Sequence, residues 1–315
     1  SLSIWEAAII GAITAPTDAA LGQAVISNPR VPERIRQALD IESGLNDGVS
    51  FPFVLIFIGL AGPDQGPGVV ETFAVAIGVA VLVGVAVGFI GGRLMVKATD
   101  AGTMGFAWSG IAVIALAATA FVLSDAGGGS GFIAAFVGGL AYGEATRGKI
   151  KANEVLAANL GAGLVQVSFL LFGALVLEPA LGNVTWQVVA MSILSLTVAR
   201  MLPVAISMIG MKLDRVTILY MGWFGPRGLA TIVFAALVVT DADLPGTQTI
   251  NVGAACIVGL SVLLHGLTSY PGSQAYADWY ESHDDPTGLP EGKTLNHHTL
   301  STRARHAIKQ AIEKT

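Results

Sequence analysis

GAITAPTDAALG, residues 11–22, sets Ala15-Pro16-Thr17-Asp18 inside an apolar stretch, and GWFGPRGLAT, residues 222–231, does the same with Gly225-Pro226-Arg227-Gly228. Proline removes a backbone donor and collides with the preceding helical turn. Each apolar stretch is therefore expected to be a helix interrupted at its proline. At membrane depth such an interruption is tolerated only where protein or a water-filled cavity satisfies the freed backbone groups. Each interruption also carries a charge, Asp18 in the first and Arg227 in the second. An ordinary proline kink accounts for the breaks alone but not for the charges inside them.

The surrounding composition supports a lipid environment. Of 315 residues, 53% are hydrophobic and only 12% are charged, against about 25% charged in a soluble domain. Mean hydropathy is +0.68. Glycine is abundant, at 39 residues, and small residues let membrane helices approach closely. The net charge of −5 decides little, and the single cysteine, Cys256, excludes an intramolecular disulfide framework. The chain opens on Ser1 in apolar sequence, which leads us to expect that an N-terminal part is missing.

Nine apolar segments have the length or character of membrane spans, near 2–26, 34–61, 68–92, 104–123, 131–144, 154–178, 184–209, 216–240 and 250–270. About 20 apolar residues cross the hydrocarbon layer. The fifth is short and glycine-rich, and its alternative reading is a re-entrant segment. Basic residues follow alternate segments: Arg30, Arg34 and Arg36; Arg93 and Lys97; Arg147, Lys149 and Lys151; Lys212 and Arg215; then five in the tail. The intervening loops hold Asp64, Asp125, Asp241 and Asp243 but no Lys or Arg. The positive-inside rule puts the basic loops and the tail in the cytoplasm. Fifteen of the 17 basic residues are then inside, and Arg200 and Arg227 remain within spans. Residues 1–271 read as a transmembrane domain and 272–315 as a cytoplasmic tail, in which 300–315 is either an amphipathic surface helix or solvated. An odd number of spans separates the two breaks, so their helices run in opposite directions. Paired broken helices of opposite direction point to an inverted repeat with its substrate at the midplane.

Helical rise from the basic loops places Asp18, Asp47, Arg200 and Arg227 roughly 15–20 Å from the inner surface, one layer near the midplane. Glu42 lies slightly further inward. Intramembrane charges cost about 2.5–3.5 kcal/mol each and are functional candidates by default. The second span concentrates them in Glu42-Ser43-Gly44-Leu45-Asn46-Asp47-Gly48. Ser43 and Asp47 share one helical face, and Glu42 and Asn46 the adjacent stripe. Oxygen-rich clusters suit a hard cation, by analogy with calcium sites. Three carboxylates against two arginines leave one carboxylate for which a proton and a metal ion compete. A purely structural polar network would be balanced.

On the motifs GAITAPTDAALG (11–22), VPERIRQALDIESGLNDGVSFP (31–52), TVARMLPV (197–204) and GWFGPRGLAT (222–231), the sequence resembles the monovalent cation:proton antiporter-1 family. That family includes bacterial Na+/H+ antiporters and animal sodium/hydrogen exchangers. The resemblance spans all nine segments, and family members carry further helices ahead of them. It implies an all-α polytopic membrane protein with an inverted-repeat antiporter fold and two crossing broken helices. It implies exchange of a monovalent cation, Na+ before K+, for protons, with no cofactor, no nucleic-acid partner and no enzymatic residues. It also implies a homodimer in the cell membrane. Asp47 resembles the family's ion- and proton-binding aspartate, with Asn46 its neighbour, Ser43 helping to coordinate the ion and the Thr17 backbone carbonyl facing it. Asp18 resembles the aspartate that balances helix ends, and Glu42 with Arg200 a structural ion pair. Arg227 resembles the arginine of the second crossing helix. In some archaeal relatives an earlier helix adds an acidic ligand. Asn46, standing where a second carboxylate would add charge to the cycle, leads us to expect electroneutral exchange. An uncoupled cation channel or sensor is the reading from a different class.

Gly127-Gly128-Gly129-Ser130-Gly131 superficially resembles a phosphate loop but lacks the Lys-Ser/Thr ending. His297-His298 reads as tail rather than metal site. His265, near the inner end of the last span, reads as structural before it reads as a pH sensor, and Cys256 reads as packing.

Overall fold

The computed structural model describes residues 2–62, 68–147, 152–241 and 244–292. His297, His298 and the stretch 300–315 lie outside the described residues, as do Lys149, Lys151, Asp64 and Asp243.

Every described element is helical. Helix α1 (Ile4–Ile13) starts from a capping box in which Ser3 Oγ accepts from the Glu6 amide and the Glu6 carboxylate from the Ser3 amide. It stops at Thr14, and the chain resumes a helix only at the short α2 (Gln23–Ile26). Next come α3 (Glu33–Ala61), α4 (Gly68–Asp100), α5 (Phe106–Ala126) and α6 (Gly131–Thr146). The fifth apolar segment is thus one uninterrupted helix, α6, rather than a re-entrant turn. Helix α7 (Ala152–Phe172) passes through a π-turn, Gly173–Leu177, into α8 (Glu178–Leu181). Pro179 has no N–H for the Leu175 carbonyl, and the helix widens just ahead of it. The seventh segment, expected as a single span, divides at Thr197 into α9 (Trp186–Leu196) and α10 (Val198–Ser207). There the Thr197 hydroxyl bonds back to the Ile193 carbonyl at 2.6 Å, a habit that bends helices. Helix α11 (Arg215–Trp223) and α12 (Leu229–Asp241) flank the second break, and α13 (Thr247–Glu281) closes the bundle.

Among the described residues, six helical runs are long and apolar enough to cross a membrane, and α1 and α12 are shorter apolar helices beside them. Large side chains point outward along these runs, among them Leu82, Leu164, Leu170 and Leu175, each at least 66% exposed. In water that surface would be costly; in lipid it is the matching solvent. The protein is a multi-pass membrane protein. Helices α4 and α6 meet where Gly84 and Gly88 face Ala134 and Gly138, and a side chain on Gly88 would strike the Gly138 backbone.

The largest core cluster joins Ile9 and Ile13 of α1, Phe51 and Val54 of α3, Phe234 and Val238 of α12, and Ile250 of α13. A second gathers Ile35, Leu39, Val204, Tyr220, Phe224 and Tyr276 at the end of the bundle that carries the basic loops. Cys256 is buried in a third, with Phe172 and Val188.

The composition boundary at 271/272 falls inside α13, which runs on to Glu281. Residues 282–292 then fold back as two single 3-10 turns. Glu291, 1% exposed, accepts hydrogen bonds from the Asp214 amide at 2.8 Å and the Thr217 hydroxyl at 3.0 Å. Arg34 donates to the Pro290 carbonyl at 2.7 Å. Arg30, in the loop before α3, holds Glu281 and Asp278, whose hydrogen bonds keep its guanidinium pKa above the ordinary value.

Candidate functional site

The two breaks meet. The Asp18 amide donates to the Pro226 carbonyl at 2.7 Å. The Asp18 carboxylate accepts from the Leu229 amide at 3.0 Å and from the Ala20 amide at 2.9 Å. Leu229 is the first residue of α12, so Asp18 caps the positive end of that half-helix. Arg227 does the converse. Its Nη1 donates to the Ala15 carbonyl at 2.6 Å and the Pro16 carbonyl at 3.1 Å, just beyond the negative end of α1. A carboxylate at a helix N-terminus and a cation at a C-terminus are both favourable against the helix dipole. The backbone groups freed by two prolines thus find partners within the crossing.

The glycines of the second break serve this contact. A side chain on Gly228 would collide with the Asp18 carboxylate, and one on Gly225 with the Arg200 guanidinium. Gly-Pro-Arg-Gly therefore leaves room for two charged groups of neighbouring helices.

Arg200 is 7% exposed and makes a two-pronged pair with Glu42 of α3: Nη1 meets Oε1, and Nη2 meets Oε2 at 2.9 Å. Its Nη2 also reaches the Met221 carbonyl at 3.3 Å. Paired planar groups of this kind fix orientation as well as charge. The pair ties α3 to α10 and α11.

One turn along α3, the polar groups turn toward the first break. Thr17 Oγ1 and Ser43 Oγ lie 3.1 Å apart, both buried. Asn46 Nδ2 is 3.5 Å from Thr17 Oγ1 and 3.4 Å from Glu42 Oε1. Asp47 faces a pocket of about 360 Å³ lined also by Gly44, Gly48, Phe132, Phe136 and Phe234. Among the described residues no hydrogen bond or ion pair engages its carboxylate. Thr17, Asp18, Glu42, Ser43, Asn46, Asp47, Arg200 and Arg227 thus lie along one path of contacts and sequence neighbours. Asp18 and Arg227 balance helix ends rather than each other, since no ion pair joins them. The carboxylate left over in the charge count is Asp47.

Some residues at this site carried no signal in the sequence. Phe132 and Phe136 of α6 form the far wall of the pocket, yet in sequence they are two aromatics in an apolar run. Ser261 and His265 of α13 bond to the second break, at Arg227 and Trp223 respectively. His265 is therefore beside the crossing, deeper than the inner end of the last span where the sequence reading puts it. The glycine run at 127–131 is a capped turn: Gly128 has φ +76° and Ser130 caps α6.

Residues 1–271 match the family model for the sodium/hydrogen exchanger, transmembrane. The chain is 27% identical to the K(+)/H(+) antiporter NhaP of Alkalimonas amylolytica, over 84% of this chain and 46% of that protein. It is 26% identical to the Na(+)/H(+) antiporter NhaG of Bacillus atrophaeus, over 95% of this chain and 60% of that protein. The chain spans about half the length of the curated relatives it matches. Its fold resembles that of the sodium proton antiporter MjNhaP1 from Methanocaldococcus jannaschii, with a TM-score of 0.64 and 23% identity over 85% of this chain and 70% of that one. With a matching family model across the crossing, the ion pair and the Asp47 segment, the chain belongs to the sodium/hydrogen exchanger transmembrane family.

Proposed function

We propose that this chain exchanges a monovalent cation for protons across the cell membrane, with Asp47 as the group for which the two compete. The observation that carries the reading is the contrast among the carboxylates of this site. Glu42 is paired with Arg200, and Asp18 caps α12, while Asp47 opens onto a pocket with no partner among the described residues. A carboxylate in lipid surroundings needs a counter-charge, and a proton or a cation can each supply it. The Thr17 and Ser43 hydroxyls and the Asn46 carbonyl add neutral oxygens to replace lost hydration. In the cycle Asp47 faces one side, releases its proton, accepts the cation, and is then exposed to the other side. The neutralised site moves and the bare carboxylate does not. With a single titrating carboxylate the exchange is one for one and electroneutral.

Na+ is the first reading, from the small hard oxygen cluster. K+ is the second, because the relatives at 27% identity include proteins named K(+)/H(+) antiporters. The basic loops support a cytoplasmic tail by the positive-inside rule, and the family resemblance supports a homodimer. No cofactor enters the cycle. The test is proton flux in vesicles holding the chain, with Na+, K+ and Li+ added in turn. Cation-driven flux is expected for the native chain and its loss in Asp47→Asn, with the variant still folded. Near-normal exchange in that variant would overturn the assignment. Cation current without proton coupling would favour a channel.

A further inference from the structure

Outside the Asp47 cluster, one polar group of the membrane region is engaged on all sides yet has no part in the cycle above. His265 is 1% exposed and lies in mid-course of α13. Its Nε2 is 2.9 Å from the carbonyl of Trp223, the last residue of α11. Its Nδ1 is 3.1 Å from Ser261 Oγ, and Ser261 Oγ accepts the Arg227 amide at 2.6 Å. The Trp223 ring stacks on the imidazole, with centroids 5.2 Å apart and planes 29° apart, and its Nε1 donates to Thr268 Oγ1 at 3.0 Å. Ser261, His265 and Thr268 are spaced by four and three residues, so they share one helical face. That face holds both lips of the second break, Trp223 on one side and Arg227 on the other.

Both ring nitrogens face acceptors. A carbonyl can only accept, so the Trp223 contact needs the hydrogen on Nε2. Nδ1 lies 2.9 Å from the Ser261 carbonyl and 3.1 Å from the Ser261 hydroxyl. With the hydrogen on Nε2 of a neutral ring, Nδ1 accepts from that hydroxyl, whose lone pair is left for the Arg227 amide.

We infer that His265 is a positioning residue for cation binding: through Trp223 and Ser261 it sets the width of the second break, and so the placement of Arg227 and the Leu229 amide against the first. The inference rests on the exchange reading above. Asp18 is bound to the Pro226 carbonyl and the Leu229 amide, and Thr17 precedes it and touches Ser43. A break that relaxes therefore draws Thr17 away from the Ser43, Asn46 and Asp47 cluster. A histidine that only filled space would affect stability and yield without changing the site's affinity.

The experiment measures the cation concentration for half-maximal exchange in vesicles, together with the maximal rate. His265→Leu removes the donor to Trp223 and is expected to raise that concentration about tenfold, the scale of a buried acceptor left unpaired, with a smaller effect on the maximal rate. His265→Gln keeps an N–H within reach of the Trp223 carbonyl and is expected to recover most of the loss. An unchanged half-saturation in His265→Leu overturns the inference, as does a glutamine variant no better than leucine. If the native chain shows no exchange at all, the antiporter reading fails and the bracket is judged directly. Nitrogen NMR of isotope-labelled histidine at neutral pH, the His265 signal assigned by its loss in His265→Gln, is then expected to show hydrogen on Nε2. A ring with hydrogen on Nδ1 alone would overturn it.

Discussion

Asp18 and Arg227 do not pair with each other; each binds the backbone of the other's helix. The carboxylate takes the Leu229 amide and the guanidinium takes the Ala15 and Pro16 carbonyls. The opposite charges therefore do separate work, and exchanging them is not a neutral swap. Asp18→Asn keeps an acceptor oxygen for the Leu229 amide but loses the charge at the helix end. It is expected to keep the fold with a stability loss of about 1–2 kcal/mol, the upper range for a partly buried group against a helix dipole. Asp18→Leu also leaves the amide unpaired and is expected to cost more. Thermal unfolding in detergent checks the order. Equal losses in the two variants would show that the capping contact contributes nothing.

Glu42 and Arg200 form a direct ion pair, so their losses should not add. Removing one partner of a fully buried pair costs about 3–5 kcal/mol because it strands the other charge; with Arg200 7% and Glu42 27% exposed, a smaller loss is expected here. Arg200→Gln and Glu42→Gln are each expected to lower the unfolding midpoint, and the double variant to recover part of the loss. Strict additivity in this double-mutant cycle would mean that the contact carries no coupling.

Asn46 sits between Thr17 and Glu42 as a neutral residue. A carboxylate in its place would add a second titrating charge to the cycle. Membrane potential acts with about 2.3 kcal/mol per elementary charge per 100 mV, so only a cycle with net charge movement responds to it. Native exchange in vesicles is expected to be insensitive to a potential imposed with valinomycin, and Asn46→Asp to become sensitive. A native rate that changes steeply with potential would sink the electroneutral reading. A variant that stays insensitive would show that position 46 does not decide the stoichiometry alone.

Glu291 lies beyond the family match, yet it is buried against the start of α11. Glu291→Ala leaves the Asp214 amide and Thr217 hydroxyl without this acceptor. A lost charge-assisted bond is worth about 1.5–3 kcal/mol. A lower unfolding midpoint is expected, and faster proteolysis after residue 281. Unchanged cleavage would show that the segment is held by Arg34 and packing instead.

The sequence made the breaks legible because proline acts locally: its missing N–H and its ring interrupt a helix whatever surrounds it. The same holds for Glu42, Ser43 and Asn46, whose grouping follows from helical spacing alone. What the chain did not disclose are contacts between distant segments. Glu291 reads as one more acidic residue in a polar tail, and only the fold-back after α13 brings it to Thr217. His265 could be weighed only as a lone histidine, because its partners stand 42 residues earlier and one turn away. The division at Thr197 also escaped notice, since a threonine in an apolar run is common in unbroken membrane helices.

The pocket beside Asp47 has a further mechanical meaning. Its two sides meet through rings: Phe132 of α6 lies 5.4 Å from Phe51 of α3 and 6.4 Å from Phe234 of α12. The crossing, by contrast, is stitched by directional hydrogen bonds that break if displaced by an ångström or two. Tilted and edge-on ring contacts are shallower and less directional than hydrogen bonds. Shear along the α6 wall costs only a change in contact area, while shear through the crossing costs several bonds at once. Asp47 therefore stands at a boundary, with contacts that yield to sliding on its α6 side and directional bonds that resist it on the side of the crossing.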